Sequence, residues 1–223
     1  MPDQPQPAAG LDWDARFAGA DYLFGTEPNQ FLTSCRSLLG ERGRVLCVAD
    51  AEGRNSVWLA TQGFDVDAFD PSVVAVAKAR RLAAERAVDV RFDVADVDGW
   101  SWPARAYDAV AAIFIQFAPP PLRRRIFGQI AATLRPGGLL LLEGYRVEQL
   151  DYGTGGPRVA EHLYTETQLR TELSAFTIER LESYDAVIEE GSGHSGMSAL
   201  IDVVARSPDP YDHRRASGTG LRD

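Results

Sequence analysis

Apolar runs alternate with longer amphipathic stretches along most of this chain. The apolar runs predict strands at 44–48, 64–70, 89–93, 108–117 and 139–145. Apolar residues at helical spacing predict helices at 54–62, 72–87 and 121–134. Strands and helices that alternate in this way favour an α/β domain in which a parallel sheet carries helices on both faces.

One more amphipathic helix is predicted before the first strand. Asn29 is a residue type that caps helix N-termini, and Gly40 is typical of the position that follows a helix. The predicted buried face consists of Phe31, Leu32, Cys35, Leu38 and Leu39. We expect this segment to act as an N-terminal lid or brace on the sheet.

The last third of the chain has a different pattern. Thr165 and Gln168 have the spacing of a capping box, which predicts the start of a helix. Two strand-like runs follow, 177–189 and 198–205, and the glycine-rich segment 191–196 joins them. Two strands with a short glycine-rich connection predict a β-hairpin.

The length of 223 residues, of which 45% are hydrophobic, is sufficient for one sizeable core. We predict a single domain over residues 11–206. Residues 1–10 and 207–223 are rich in proline, glycine, serine and charge without periodicity, so both segments are predicted to be flexible tails.

Charge and composition limit the partners. The net charge of −9 disfavours nucleic acid, because a phosphate backbone is bound by clustered Lys and Arg. The basic run 123–125 is predicted to lie on a solvated helix face. No apolar run reaches eighteen residues, so no membrane partner is expected.

Cys35 and Cys47 are at positions that predict burial, which favours a reducing compartment, the cytoplasm.

The end of the first strand carries the strongest functional signal. The strand leads through a turn of small residues, 49–53, into a helix, and Asp70 ends the next strand. Such a turn lets a ligand approach the helix N-terminus, while an acid about twenty residues later can bind ribose hydroxyls. This pattern predicts a nucleotide-like cofactor. A nicotinamide dinucleotide is disfavoured, because its fingerprint requires glycines at 49, 51 and 54.

Several further motifs accompany this turn. They are Trp13–Phe17, Tyr22–Asn29, Glu52–Asn55, Asp96, Ile113–Phe117 and Arg135–Gly138. In this order they resemble the class I S-adenosylmethionine-dependent methyltransferases, and more narrowly the tellurite-resistance (TehB-like) and thiopurine-methyltransferase-like branch. The resemblance covers about residues 11–206. It implies a doubly wound, mostly parallel seven-stranded sheet with a C-terminal antiparallel hairpin, and S-adenosylmethionine as cofactor.

The resemblance implies a set of cofactor-binding residues. They are Ala49, Asp50, Ala51, Gly53, Asn55, Asp70, Pro71, Asp96, Val97, Phe114 and Ile115. Alternatives are a helix N-cap for Asp70, a turn cap for Asp96, core packing for Ile115 and a solvated position for Glu52. The family's turn is usually Gly-x-Gly-x-Gly, so the two alanines are departures, and alanine adopts a positive φ only at a cost.

The acceptor side is defined less sharply. Tyr22 and His194 are the candidate catalytic residues, and Gln116, Phe117, Tyr145, Arg158 and His162 are the candidate substrate residues. A solvated turn position is the alternative for His194. No pair of histidines has the spacing of metal ligands, so no metal is expected. A glycine-rich loop, the basic side chains of Arg158, His162 and His194, and aromatic walls at Phe114 and Phe117 suit a small, compact acceptor. The absence of a convincing acid–base pair favours a thiol or a chalcogen anion. The alternatives are a small-molecule O- or N-methyltransferase and a cyclase-like or non-catalytic cofactor-binding protein.

Overall fold

The computed structural model describes residues 12–209, which form a seven-stranded sheet in the order β3-β2-β1-β4-β5-β7-β6. The strands are β1 (Arg44–Val48), β2 (Asp65–Asp70), β3 (Arg91–Val94), β4 (Tyr107–Ile113), β5 (Leu134–Tyr145), β6 (Thr177–Glu190) and β7 (His194–Arg206). Strands β1 to β5 are parallel to one another. Strand β7 lies antiparallel between β5 and β6. This arrangement confirms the predicted doubly wound, mixed sheet.

The helices are α1 (Trp13–Phe17), α2 (Gln30–Ser34), α3 (Arg54–Thr61), α4 (Val73–Glu85), α5 (Pro120–Thr133), α6 (Gln149–Tyr152) and α7 (Glu166–Glu172). Short 3-10 turns occur at Arg36–Leu38 and Ala160–His162. Alternate residues of β1 face opposite cores: Val45 and Cys47 pack with residues of α2 and α3, whereas Leu46 and Val48 pack with residues of α5 and α7. Within residues 12–209, no helix is long and apolar enough to cross a membrane.

Several local predictions are confirmed. Strand β1 has the predicted bounds, and both cysteines are buried. The Asn29 side chain accepts a hydrogen bond from the backbone N–H of Leu32 (2.9 Å), as expected of an N-cap. Thr165 likewise accepts from the N–H of Gln168 (3.2 Å), which confirms the helix start.

The predicted end of β4 is wrong by four residues. The strand stops at Ile113, because Phe114 adopts a left-handed conformation (φ 55°) that no strand can continue through. Strand β3 lies at 91–94 instead of 89–93, and β5 begins five residues early, at Leu134.

Two predictions of exposure and burial are also wrong. Leu38, predicted on the buried face, is 44% exposed, because the helix ends at Ser34 and a 3-10 turn rotates Leu38 outward. Arg123, predicted on a solvated face, is buried and pairs with Glu172, with Nε 2.8 Å from Oε2. A buried arginine is stable there because a carboxylate neutralises it.

The hairpin turn is shorter than predicted. It spans only 191–193, since β7 already begins at His194 and pairs it with Glu190. Beyond β7, the Ser207 N–H donates to the Gly138 carbonyl (2.8 Å), so pairing reaches the first residue of the predicted tail. The predicted tail segments otherwise fall mostly on residues 1–11 and 210–223, outside the described residues.

Candidate functional site: cofactor turn and aromatic cluster

The turn after β1 has the backbone shape that glycines usually provide. Ala49 (φ 49°), Ala51 (φ 50°) and Gly53 (φ 88°) are all left-handed. Gly53 is required for close packing as well, since a Cβ there would lie 2.7 Å from the Cβ of Ala79 on α4. Holding this shape therefore costs roughly 1–2 kcal/mol of backbone strain at each of the two alanines.

Asp70 lies against this turn at the end of β2. One of its oxygens accepts from the N–H of Ala51 (3.0 Å), and the other accepts from the N–H of Ser72 (2.9 Å), next to the exposed Pro71. Burial raises the pKa of Asp70 to about 6, against the effect of these two bonds. The N-cap alternative does not hold, because Ser72 caps α4 by accepting from the N–H of Ala75 (3.0 Å). Each carboxylate oxygen of Asp70 keeps a second lone pair for a ligand.

Asp50 faces inward from the same turn. Its carboxyl group accepts a hydrogen bond from the Ser56 hydroxyl. Burial raises the pKa of Asp50 to about 7, and the Asp70 charge adds to the increase. A partly protonated Asp50 reduces the repulsion that an anionic ligand group would meet at the start of α3.

Glu52 is buried rather than solvated. Its Oε1 lies 2.7 Å from Nζ of Lys78 on α4, and its Oε2 accepts from the N–H of Leu23 (2.7 Å). The segment before α2 is thereby fastened to the turn after β1 (residues 49–53), which is called the cofactor turn below. Tyr22 is part of this fastening, because its hydroxyl donates to the Lys78 carbonyl (3.2 Å) and its ring packs with Val57 and α4 residues.

A cluster of four rings lies where β4, β5 and β7 meet the N-terminal segment. It consists of Phe24, Phe114, Tyr145 and His194 and is called the aromatic cluster below. The His194 ring centroid is 4.4 Å from those of Phe24 and Phe114 and 5.7 Å from that of Tyr145. The structure thus brings together three of the predicted site residues from distant parts of the chain.

Two polar atoms of the aromatic cluster are unsatisfied. Within residues 12–209, Nδ1 of His194 and the hydroxyl of Tyr145 are buried without a hydrogen-bond partner. The Ser198 hydroxyl, which lowers the pKa of Tyr145, donates to the Gly196 carbonyl (3.2 Å). Buried polar groups are normally paired, so two such atoms on neighbouring rings indicate a place for a ligand.

The electrostatic state of these two groups is set by burial. Burial lowers the pKa of His194 to about 3, and the charges of Arg54 and Arg16 lower it further. Burial also raises the pKa of Tyr145. Both side chains are therefore neutral at physiological pH. His194 is a buried strand residue, so the solvated-turn alternative does not hold.

Other predicted substrate residues lie outside the aromatic cluster. The Gln116 amide donates to the Tyr145 carbonyl (2.8 Å) and accepts from the Tyr145 N–H (2.5 Å), so it supports the end of β5. Phe117 packs partly buried against the α5 core. Arg158 is exposed, and His162 is half-buried. Burial lowers the pKa of His162, with a further contribution from the Arg123 charge.

The predicted cofactor residues farther along the sheet are placed as follows. Asp96 is exposed and accepts from the N–H groups of Asp98 (3.1 Å) and Gly99 (2.6 Å), which matches the turn-cap alternative. Val97 is half-buried beside it. Ile115 is 2% exposed and belongs to the α5 core, as its alternative proposed. Asn55 is buried, and its side-chain oxygen accepts from the N–H of Asn29 (3.0 Å).

Two residues of the site, Phe24 and Glu190, were missed by the sequence reasoning. Phe24 forms one wall of the aromatic cluster, and its carbonyl accepts from Nη1 of Arg54 (3.3 Å). Nη2 of Arg54 lies 2.7 Å from Oε2 of Glu190, and both side chains are buried. Phe24 lies in the motif Tyr22–Asn29, but no local pattern in the sequence links it to Glu190.

The described residues fit an S-adenosylmethionine site. Asp70 supplies a carboxylate that faces the turn, as recognition of a ribose diol requires. The N-terminus of α3, at Arg54, follows the left-handed Gly53 and favours a carboxylate ligand group. Phe114 and its neighbouring rings are suited to a sulfonium cation.

Comparisons with known proteins agree with this fit. Residues 45–138 match the family model of a methyltransferase domain, which includes the turn, Asp70, Asp96 and Phe114. No curated protein sequence matches the chain. Residues 45–138 thus match a methyltransferase domain, which supports S-adenosylmethionine as the cofactor.

Solved structures share the fold at low sequence identity. A structure that describes the conversion of a disulfide bond into a thioacetal group during echinomycin biosynthesis has a TM-score of 0.74 at 17% identity, covering 90% of this chain and 92% of that one. TehB from Haemophilus influenzae has a TM-score of 0.65 at 14% identity, covering 80% and 62%. The cyclase SpnF has a TM-score of 0.63 at 21% identity, covering 80% and 79%.

Proposed function

We propose that this S-adenosylmethionine-dependent methyltransferase methylates a small thiol or chalcogen anion held in the aromatic cluster. The observation that carries the proposal is the pair of unsatisfied buried atoms, Nδ1 of His194 and the Tyr145 hydroxyl. Both can donate a hydrogen bond, and two donors from neighbouring rings suit an anionic acceptor atom. Tyr22, which packs on α4, has no part in this proposal.

The neutral state of His194 also favours such an acceptor. A general base works best when its pKa is near the operating pH, and that of His194 is about 3. An acceptor that is already ionised in water needs no base. The bound cofactor supplies a methyl group activated by a sulfonium sulfur, so the protein has to orient the acceptor and exclude water. The rings of Phe24 and Phe114 orient the acceptor and exclude water.

The fold relatives support sulfur and chalcogen chemistry. One of them is described in a reaction that converts a disulfide bond into a thioacetal group. Another is TehB, which supports placing this chain in the tellurite-resistance-like branch. A third is a cyclase, so a role without methyl transfer is the alternative that the experiments must test.

A screen of acceptors tests the proposal. Release of S-adenosylhomocysteine is measured with thiophenol, 2-mercaptoethanol, selenite, tellurite, phenol and aniline. We expect turnover with the thiols or the chalcogen anions. Turnover confined to phenol or aniline contradicts the proposal, and cofactor binding without any turnover favours a repurposed, cyclase-like protein.

Tyr145→Phe is the variant that tests the site, because it removes only the unsatisfied hydroxyl. We expect kcat/KM for the anionic acceptor to fall at least about tenfold, the effect of one hydrogen bond to a charged atom. Tyr152→Phe is the matched control, since Tyr152 is exposed and bonds to Asp185. Arg158→Ala tests whether the exposed Arg158 attracts the anion, in which case KM rises with kcat unchanged.

A further inference from the structure

A buried ion pair joins the two sides of the aromatic cluster. Arg54 is the first residue of α3 and follows the cofactor turn directly, whereas Glu190 is the last residue of β6. Their side chains meet at 2.7 Å, and they are only 7% and 6% exposed. A buried pair of this kind adds little net stability, but it fixes the relative position of the elements that carry it.

Arg54 has a second contact. Its Nη1 donates to the carbonyl oxygen of Phe24 (3.3 Å), and the Phe24 ring lies 4.4 Å from that of His194. The position of the guanidinium group therefore determines how closely Phe24 approaches His194.

Glu190 is held from the other side as well. Its carboxylate accepts from the Asn29 amide (3.1 Å) and from the N–H of Gln30 (3.3 Å), at the start of α2. It pairs across the hairpin with His194. Glu190 is thus in contact with α2, α3 and the strand that carries His194.

The hairpin turn touches the same N-terminal segment. The N–H of Gly193 donates to the Leu23 carbonyl (2.9 Å), and any side chain at Gly191 would collide with the backbone of Leu23 and Gly25. The wall formed by Phe24 is therefore fixed at two places, by Arg54 and by the turn that follows Glu190.

We propose that Glu190 is a positioning residue for the acceptor: through Arg54 it holds Phe24 against His194 and so fixes one wall of the aromatic cluster. Without its negative charge, the buried Arg54 guanidinium is uncompensated and moves toward solvent, away from the Phe24 carbonyl. The cofactor turn is also held by Asp70 and Glu52, so we expect it to keep its shape without this pair.

Glu190→Gln tests the proposal, because glutamine keeps the size and one acceptor oxygen but removes the charge. The acceptor half of the proposal rests on the proposed function. With the best acceptor of the screen, we expect KM for that acceptor to rise at least tenfold, kcat to change less than threefold and Kd for S-adenosylhomocysteine to stay within twofold. Glu189→Gln is the matched control, since Glu189 is the exposed neighbour.

Amide hydrogen exchange provides a test that needs no acceptor. In Glu190→Gln, we expect exchange to be at least tenfold faster in 23–25 and at Gly193, with the amides of β1 unchanged. Faster exchange in Glu190→Gln, together with no turnover in the screen, contradicts the proposed function but still supports the positioning role. An acceptor KM equal to that of the wild type, or a rise matched by Glu189→Gln, overturns the positioning role.

Uniformly faster exchange over the sheet, with a lower melting temperature and an unchanged KM, assigns Glu190 a structural role only and also overturns the proposal. Phe24→Ala covers the case in which Glu190→Gln does not fold, because it leaves the ion pair intact. We expect it to reproduce the rise in acceptor KM without a change in cofactor Kd. A wild-type KM in Phe24→Ala contradicts the assignment of this wall.

Discussion

The backbone N–H of Ala51 donates a hydrogen bond to Oδ2 of Asp70 over 3.0 Å. This contact joins the strained turn after β1 to the end of β2, so the residue expected to bind the ribose also fixes the backbone on which we expect the cofactor to lie. The second oxygen of Asp70 fixes the start of α4 through Ser72. We therefore expect turn geometry and cofactor affinity to be coupled through this one side chain.

Asp70→Ala is predicted to weaken S-adenosylmethionine binding at least tenfold. Loss of two hydrogen bonds to a carboxylate costs on the order of 2 kcal/mol, and the released turn adds to the loss. Isothermal titration calorimetry measures the change, with Asp89→Ala as an exposed control. An unchanged Kd would remove Asp70 from the cofactor site.

Ala51→Gly is predicted to stabilise the protein without weakening cofactor binding. Glycine relieves roughly 1–2 kcal/mol of left-handed strain and gives back about half of that in chain entropy. Ala87→Gly is the matched control, because Ala87 is also left-handed (φ 53°) but lies beyond α4, away from the turn. Urea unfolding should show a similar gain for both variants. Weaker cofactor binding by Ala51→Gly alone would show that the turn has adapted to the methyl group.

Lys78→Met is predicted to destabilise the protein by about 3–5 kcal/mol, because it leaves the buried Glu52 carboxylate without its cation. Glu52 also accepts from the N–H of Leu23, so the N-terminal segment should loosen first. Arg81→Ala on the same helix is the control, since its pair with Glu85 is exposed. Equal urea midpoints for the two variants would contradict the prediction.

Local patterns predicted the parts of the molecule that local chemistry determines. Strand β1 could be delimited because five apolar-rich residues precede a turn of small residues, and the turn itself was recognised from Gly53 and Asp70. The caps at Asn29 and Thr165 depend on contacts only three residues apart. Each of these features is encoded within a few neighbouring residues.

The rest of the site depends on contacts between distant segments. Glu190 meets Asn29 across 161 positions of the chain, and no periodicity records that contact. The sequence predicts His194 as a candidate catalytic residue in a glycine-rich turn, with a solvated position as the alternative, whereas Phe24 and Phe114 bury it in β7. Tyr22 is two residues from Phe24, but its ring packs on α4 and not in the aromatic cluster.

Glu143 and Asp202 form a buried acid pair near the site. They face each other in register between β5 and β7, at 3% and 5% exposure. The Tyr184 hydroxyl contacts both carboxyl groups, and the Asn29 amide donates to Glu143. Ionising both of two carboxyl groups that are so close and so buried has a large free-energy cost. The charge of Glu190 adds to the repulsion at Glu143.

This pair predicts a pH dependence of stability. Burial raises the pKa of Glu143 well above its ordinary value and raises that of Asp202 to about 6. A raised pKa means that the folded state binds the proton more tightly than the unfolded chain, so the stabilisation is complete below pH of about 4 and is lost as the pH rises through about 6.

Asp202→Asn imitates the protonated form and keeps an acceptor for Tyr184. We therefore expect the free energy of unfolding of this variant, relative to the wild type, to increase by about 2 kcal/mol between pH 4 and pH 8 in urea titrations. Glu189→Gln should keep the wild-type dependence, and parallel curves for the wild type and Asp202→Asn would show that the pair holds no proton.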